Sequence, residues 1–354
     1  MSQTPEPQEK KNRFSVSRQV QSEFVNDLVD TMLKLSDKVQ AGEKPMPAQP
    51  PFCPVTGHAY GGASMTRLML ESIKQGYKDD RWLTFNQLQK YKFDNKDFKP
   101  TVRKGQHGVK LLRTEDVAFV VDDRGKWEFL TEDSAKERKA QGQKVQHKTV
   151  FYPYTVFNAS QIDGFPSKEH PAPKLDDAER HALIEKFAAC SAIPVEHDER
   201  PYYDVMSDTV KLPPPDKMDG MDEYQAMKLR LLYHATGHAN RENRIEENMQ
   251  PRFEEMRGEM FSLLAGARYG LPMPTNNADL WKNEIAGMEY RMAFEATADA
   301  SRMLALMDQF ARGEQPKAPW FPKQEEWPAM TAETATKQEM TPPAEPAPAP
   351  RMRM

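Results

Sequence analysis

The chain has 354 residues, 38% hydrophobic and 29% charged, with a formal net charge of −4 and a mean hydropathy of −0.80, enough for one or two ordinary cores beneath much polar surface. No apolar run approaches the roughly 20 residues that span a bilayer, and the opening MSQTPEPQEKKNR lacks the apolar centre of a signal peptide, so we expect a cytoplasmic protein with no membrane partner. The two cysteines, Cys53 and Cys190, stand far apart and outside any CxxC, which argues against a disulfide framework and a cysteine zinc site.

Residues 1–13 are polar and read as disordered. Between residues 16 and 39 the apolar positions Val20, Phe24, Leu28, Met32, Leu35 and Val39 recur every three or four residues, the pattern of one amphipathic helix. The prolines of AGEKPMPAQPPFCP stop it. The turn-rich PVTGHAYGG leads into a helix over about 64–75 and a short one that Thr84 caps. Strand signals follow at 109–112, 117–121 and 149–157, the last alternating around TVFYPYTVF, which completes an α+β module over 14–166. A linker, 167–175, precedes a second domain over 176–312. There a helix over 176–189, strand-like pieces at 201–205 and 209–212, and helical patterns at 224–234, 254–269 and 280–310 make a mostly helical fold. On the last of these Trp281, Ile285, Met288, Met292, Met303 and Met307 form the apolar stripe, with Met as core filler. From Gly313 the chain is rich in Pro, Glu and Ala, the composition of a disordered tail over 313–354.

The net charge conceals an uneven distribution. Between residues 61 and 113 twelve Lys or Arg stand against five Asp or Glu, a local balance of +7. A phosphate-binding surface needs such asymmetry, because the field and counterion release act locally. A solvated lysine-rich face has the same composition.

Residues 228–241 read KLRLLYHATGHANR, the frame of an HExxH metalloprotease helix, in which two His one turn apart hold a metal and the intervening Glu activates its water. The residues alone leave two registers. With His234 and His238 as the pair, the base slot holds Ala235 and the turn between contains Gly237, a poor helix former. With His234 as the second His, the first slot holds Arg230 and the base slot Leu231. Neither register supplies the carboxylate that such hydrolysis uses as general base.

PVTGHAYGG, GYKDDRWLTFNQLQ, VRKGQHGV and YTVFNASQIDG together resemble, in order and spacing, the N-terminal domain of ArdC-type antirestriction proteins, a domain also found at the front of some plasmid primases. ERPYYDVMSDTVKLPPPDKM, YQAMKLRLLYHATGHANREN and RGEMFSLLAGARYGLP resemble the family's second, zincin-like domain, so the resemblance covers about residues 18–310. It also selects the register: TGH and Arg241 fall into place only with His234 as the second His. Arg230 then replaces the first ligand and Leu231 the general base, while His234 and Glu259 remain as a vestigial ligand pair. Two ligands beside a cationic Arg230 make a weak zinc site, so no cofactor and no hydrolysis are expected. Arg230 is expected to pair with Glu259 where the ion would sit, leaving His234, His238 and Glu259 as satisfied polar core residues. A site rescued through His238 or His197 stays open.

The fold implied is α+β, a small single-stranded-DNA-binding module followed by a mostly helical zincin-like domain with a short antiparallel sheet. The resemblance implies binding of single-stranded DNA independent of sequence, by cations along the phosphates and rings beneath unstacked bases. Arg81, Arg103, Lys104 and Lys110 are the phosphate candidates, with backbone N–H groups near Gly105 and Gly108 and a donor at His107. Tyr60, Trp82 and Tyr91 are the stacking candidates; Tyr60 sits in a glycine-bounded loop, whereas Trp82 in WLTF reads equally as core. The expected role is protection of incoming DNA by a protein of a plasmid, phage or other mobile element, with restriction or DNA-transfer proteins as further partners. The alternatives are a metal-dependent peptidase with an unusual ligand set and an inhibitor acting by DNA mimicry. The +7 balance opposes mimicry, which needs an acidic binding face.

Overall fold

The apolar spacing that begins at Val20 folds as one long helix, α1 (Pro7–Gln40), with Val20, Phe24, Leu28, Met32 and Leu35 buried, in the computed structural model of the chain. The structure describes residues 7–42, 50–94, 99–166, 175–245, 251–272 and 289–328. The helix starts at Pro7, inside the segment expected to be disordered; proline suits a first turn, whose N–H groups have no intrahelical partner. The chain divides into two units, the first comprising residues 1–31, 50–169 and 286–290 and the second 32–49, 170–285 and 291–354.

In the first unit the strands β1 (Trp82–Thr84), β2 (Thr101–Val102), β3 (Val109–Val121), β4 (Trp127–Phe129), β5 (Gln146–Asn158) and β6 (Ile162–Asp163) form two antiparallel sheets, one ordered β1-β5-β3-β4 and one a β2-β6 ribbon. The two strands expected at 109–112 and 117–121 are one. The polar run between them stays in the ladder, with Arg113 opposite Tyr152 and Asp116 opposite Thr149, because backbone pairing does not require apolar side chains where a face meets water. The helices are α2 (Gly62–Gln75), α3 (Phe85–Asp94) and α4 (Glu132–Ala140). Thr84 caps α3 as expected: its Oγ1 accepts from the Gln87 N–H at 3.2 Å and Gln87 Oε1 accepts from the Thr84 N–H at 2.7 Å, a capping box. Strand alternation sends Trp82 and Leu83 into two cores, one with Leu68, Val109, Leu111 and Val156, the other with Leu88 and Ile162.

In the second unit Asp176 and Glu179 form the capping box of α5 (Asp177–Cys190). Strands β7 (Val195–His197), β8 (Tyr202–Asp204) and β9 (Thr209–Leu212) follow, ordered β7-β9-β8. The β8–β9 pair is the expected antiparallel hairpin, but β7 adds to β9 in parallel, so the sheet is mixed. The helices α6 (Met221–Thr236), α7 (Pro251–Tyr269) and α8 (Tyr290–Ala311) complete the unit. Of the last apolar stripe Met303 and Met307 are buried; Trp281, Ile285 and Met288 lie outside the described residues. The expected tail is corrected over 313–328: Phe321 is 4% exposed and packs 5.5 Å from the Phe187 ring and 5.9 Å from that of Phe310. The aromatic burial of Phe321 outweighs what the Pro-rich average of the segment suggests. Among the described residues no helix is long and apolar enough to cross a membrane.

Trp82 is 0% exposed at the centre of its core. Trp82→Ala should therefore lower stability by about 3–5 kcal/mol, read as a shift of urea midpoint at unchanged slope; a midpoint equal to that of the unsubstituted chain would contradict this placement.

Candidate nucleic-acid interface and the zincin-like centre

The asparagine and glutamine of FNASQ, both buried, build the framework of the first unit's basic turn. Asn158 donates through Nδ2 to the Asp79 carbonyl at 2.7 Å and accepts from the Ser160 N–H at 2.8 Å. Gln161 donates through Nε2 to the His107 carbonyl at 2.9 Å and to Gln106 Oε1 at 3.1 Å, while its own Oε1 accepts from the Asn158 N–H at 2.9 Å. Gln161 thus holds the turn 103–107, its carbonyl also accepting from the Arg103 N–H at 3.0 Å, while Asn158 ties the strand end to Asp79; Gly105 on the turn has φ +82°, a conformation that costs glycine little. On this turn and the start of β3, Lys104, Gly105, His107 and Lys110 are exposed.

The other candidates are more committed. Arg81 is mostly buried, bidentate on Asp79 at 2.7 and 3.0 Å, with its guanidinium 5.0 Å from the Phe165 ring centroid. The Asp79 hydrogen bond raises its pKa against the effect of burial, so it is a permanent, already neutralised cation. Arg103 donates to the Ser160 carbonyl and lies 3.4 Å from Asp163, yet stays half-exposed. Of the twelve cations between 61 and 113, Arg67, Lys74, Arg81, Arg103 and Arg113 have carboxylate partners, which reduces the effective +7 balance.

As stacking residues, Trp82 and Tyr60 are corrected. Trp82 is wholly inside the core, and Tyr60 lies half-buried against that core with its hydroxyl donating to the Trp82 carbonyl at 3.1 Å; burial pushes its phenol pKa up. A glycine-bounded loop exposes its backbone without exposing the ring that anchors it. Tyr91 is half-buried with its ring 5.0 Å from that of Phe165. Among the described residues of the first unit the exposed rings include Phe85, Phe93, Trp127 and Phe129. The alternation of WEF was the available signal for the last two, in a strand too short to stand out.

In the second unit Arg230 and His234 lie one turn apart on α6. The Arg230 guanidinium donates through Nη1 to Glu259 Oε1 and through Nη2 to Glu255 Oε2, both at 2.8 Å, with Glu259 fully buried. This is the pairing the sequence led us to expect. His234 Nδ1 lies 3.4 Å from Glu254 Oε1. Its Nε2 abuts α7 at Gly258, where an added Cβ would stand 2.5 Å from that nitrogen, so only glycine lets the helices close over the ring. Glu254 also accepts from Arg244 at 3.1 Å and Arg257 at 3.3 Å. Burial alone would raise its pKa, but His234 and Arg244 outweigh burial and hold the carboxyl below its usual range. Arg257 Nε in turn lies 2.8 Å from Asp299.

His238 does not join this cluster. It lies 3.7 Å from Asp208, which Arg241 and the Tyr203 hydroxyl also hold, and this group fastens the loop after α6 to β8 and β9. His197 lines a separate cavity of about 250 Å³ beside Glu185 and Lys228. Among the described residues no three His, Cys, Asp or Glu side chains converge as metal ligands do. The carboxylates around His234 are already taken up by Arg230, Arg244 and Arg257, a set that does not fit a zincin metal.

A polar-framed basic module and a zincin-like helical unit define a two-domain protein. Residues 18–157 match the N-terminal domain of anti-restriction factor ArdC, and residues 182–289 match a zincin-like metallopeptidase family. The crystal structure of the antirestriction ArdC protein from plasmid R388 superposes with a TM-score of 0.58 at 24% identity in its metal-free form, over 80% of this chain and 98% of that one. Its Mn(II)-bound form gives 0.54 at 23% identity, over 83% and 99%. Two DNA primases TraC from Escherichia coli are 28% identical over 293 and 269 residues, 76% and 67% of this chain. This chain spans only 19% and 22% of those primases. An uncharacterized protein y4eC from Sinorhizobium fredii is 27% identical over 196 residues, 55% of this chain and 56% of that one. The chain thus carries a match to the N-terminal domain of ArdC followed by a match to a zincin-like domain, and shares the fold of the ArdC protein.

Two outcomes test the charge cluster. Arg230→Met strands a buried carboxylate and should cost about 3–5 kcal/mol in chemical denaturation, whereas Arg230→Met with Glu259→Met should recover most of that loss; equal losses in both would refute the pairing. Because the folded-state pKa of Glu254 is depressed, its stabilisation is present above its unfolded value of about 4.3 and is lost as pH falls through the folded value. Glu254→Gln should therefore destabilise the protein at pH 7 and flatten the acid limb of a stability–pH curve, and a limb unchanged in steepness would contradict the assignment.

Proposed function

We propose that the chain is a sequence-nonspecific single-stranded-DNA-binding protein of a mobile element, acting in the cytoplasm to protect incoming DNA against restriction. Its zincin-like domain is a scaffold or a docking surface for restriction or DNA-transfer proteins and does not hydrolyse peptides. The observation that carries the DNA reading is the turn 103–107 with its neighbour Lys110. Lys104 on the turn, which Gln161 holds by hydrogen bonds, and Lys110 on β3 are exposed with no carboxylate partner among the described residues. Such cations meet phosphates without first losing an internal ion pair. The matched relatives, a plasmid antirestriction protein and DNA primases, act in DNA transactions and support the reading. Against peptidase chemistry stands Arg230, whose charge takes up the carboxylate a metal would need.

Fluorescence anisotropy with labelled single-stranded and double-stranded oligonucleotides over a salt series tests the proposal. Single strands should bind more tightly and with a steep salt dependence. Lys104→Ala with Lys110→Ala should weaken binding and reduce the slope of log K against log salt by about 1.4, the share of two phosphate contacts on a single strand. Failure of the unsubstituted chain to bind at low salt would sink the reading.

A further inference from the structure

We propose that the open face at the β4 end of the β3–β5 ladder is a base-stacking platform for single-stranded nucleic acid, with Trp127 and Phe129 as its rings and Lys148 as its phosphate partner. The proposal rests on the DNA reading above and adds to the basic turn a second contact surface of different chemistry.

The ladder register places these side chains together. Val117 pairs with Lys148, Phe119 with Gln146 and Phe129, and Val121 with Trp127, so all of them project from one face. Phe119 is buried beneath the others, its ring 4.5 Å from that of Trp127 at an interplanar angle of 14° and 6.3 Å from that of Phe129. The covering rings remain 44% and 50% exposed. Lys148 Nζ stands 4.4 Å from the Trp127 centroid. Further along the same face the Arg113 guanidinium lies 5.5 Å from the Tyr152 ring. Rings alternating with cations on an open sheet are what unstacked bases and their phosphates require.

Charge separates the two faces. On the opposite face Ala118 of β3 and Ala135 of α4 are buried, and the acids Asp116 and Glu128 take up His147 and Arg138, each at 3.1 Å. On the open face the positions from 113 to 121 and their strand partners carry one acid, Glu115, already held by Arg113 at 2.8 Å. A face that combines exposed aromatics with Lys148 and whose single acid is already paired suits a polyanion with planar bases better than an apolar protein surface. The rings also lie on β4, an edge strand, where unshielded aromatics are an association hazard unless something covers them.

The test uses the full chain and labelled oligo(dT) of ~20 nucleotides, a length that spans the site sizes of single-strand grooves. Trp127→Ala with Phe129→Ala should weaken binding by about tenfold or more at every salt concentration without changing the salt slope, since stacking contributes on the order of 1–3 kcal/mol per base. Lys148→Gln should reduce the slope by about 0.7. Trp127→Phe should bind within a few-fold of the parent while losing the tryptophan quenching that oligo(dT) produces, which keeps the test valid if the double variant unfolds by circular dichroism. Unaltered affinity and unaltered quenching in these variants, with Lys104→Ala and Lys110→Ala still weakening binding, would overturn the platform and leave the basic turn. A change in oligomeric mass without a change in DNA affinity would assign the face to self-association and overturn it equally. No binding by the parent chain would remove the DNA reading and the platform with it.

Discussion

A guanidinium buried between two helices must be neutralised where it stands, and the second unit is organised around that requirement. Arg230 takes Glu259 and Glu255, and the remaining polar groups of α6 and α7 then need partners of their own. His234 finds Glu254, Glu254 finds Arg244 and Arg257, and Arg257 finds Asp299 on α8. Each link removes an unpaired charge from a region where one would cost several kcal/mol. Arg244 extends the chain of partners to the carbonyl of Tyr233 at 3.0 Å and to Thr236 Oγ1 at 3.0 Å, meeting orphan acceptors at the C-terminal end of α6 as a basic side chain can.

The first unit separates framework from contact surface by residue type. Its motif amides, Asn158 and Gln161, are buried and bonded to backbone, whereas Lys104 and Lys110 are left to solvent. Amides suit the first role because they satisfy a donor and an acceptor at once without a charge to desolvate. Lysines suit the second because a strongly hydrated ammonium on a flexible stem stays outside. The same division explains why a family pattern rich in Asn, Gln and Gly marks a charged surface: the pattern records what holds the surface in place.

What could be read from the sequence follows from the range of the interactions. The stripe from Val20 to Leu35, the cap at Thr84 and the β8–β9 hairpin are set by neighbours within a few residues, and all were legible. Arg230 and Glu259 lie 29 residues apart, and only the register of a known helix pattern made their pairing legible. Tyr60, Trp82 and Arg81 could not be sorted from sequence, because their exposure depends on Leu68, Val156 and Phe165, brought in from distant segments. The parallel strand β7 escaped notice since three residues at Val195–His197 carry no alternation of their own, and the packing of Phe321 was masked by the prolines around it. Trp127 and Phe129 were missed because the alternation of a three-residue strand is too short to stand out.

The close approach at Gly258 and the pairing of Arg230 make this cluster resistant to piecemeal change. A protein carrying Arg230 has committed Glu255 and Glu259 to a cation that side-chain substitution alone can supply or remove, and α7 has closed to within contact of the His234 ring. Histidine at position 230 would strand those carboxylates, and a glutamate at 231 would replace a buried leucine with a charge. Each single change passes through a form less stable than its neighbours, so the cluster yields only to concerted substitution, and its members are tied to one another more tightly than any one of them is to a function.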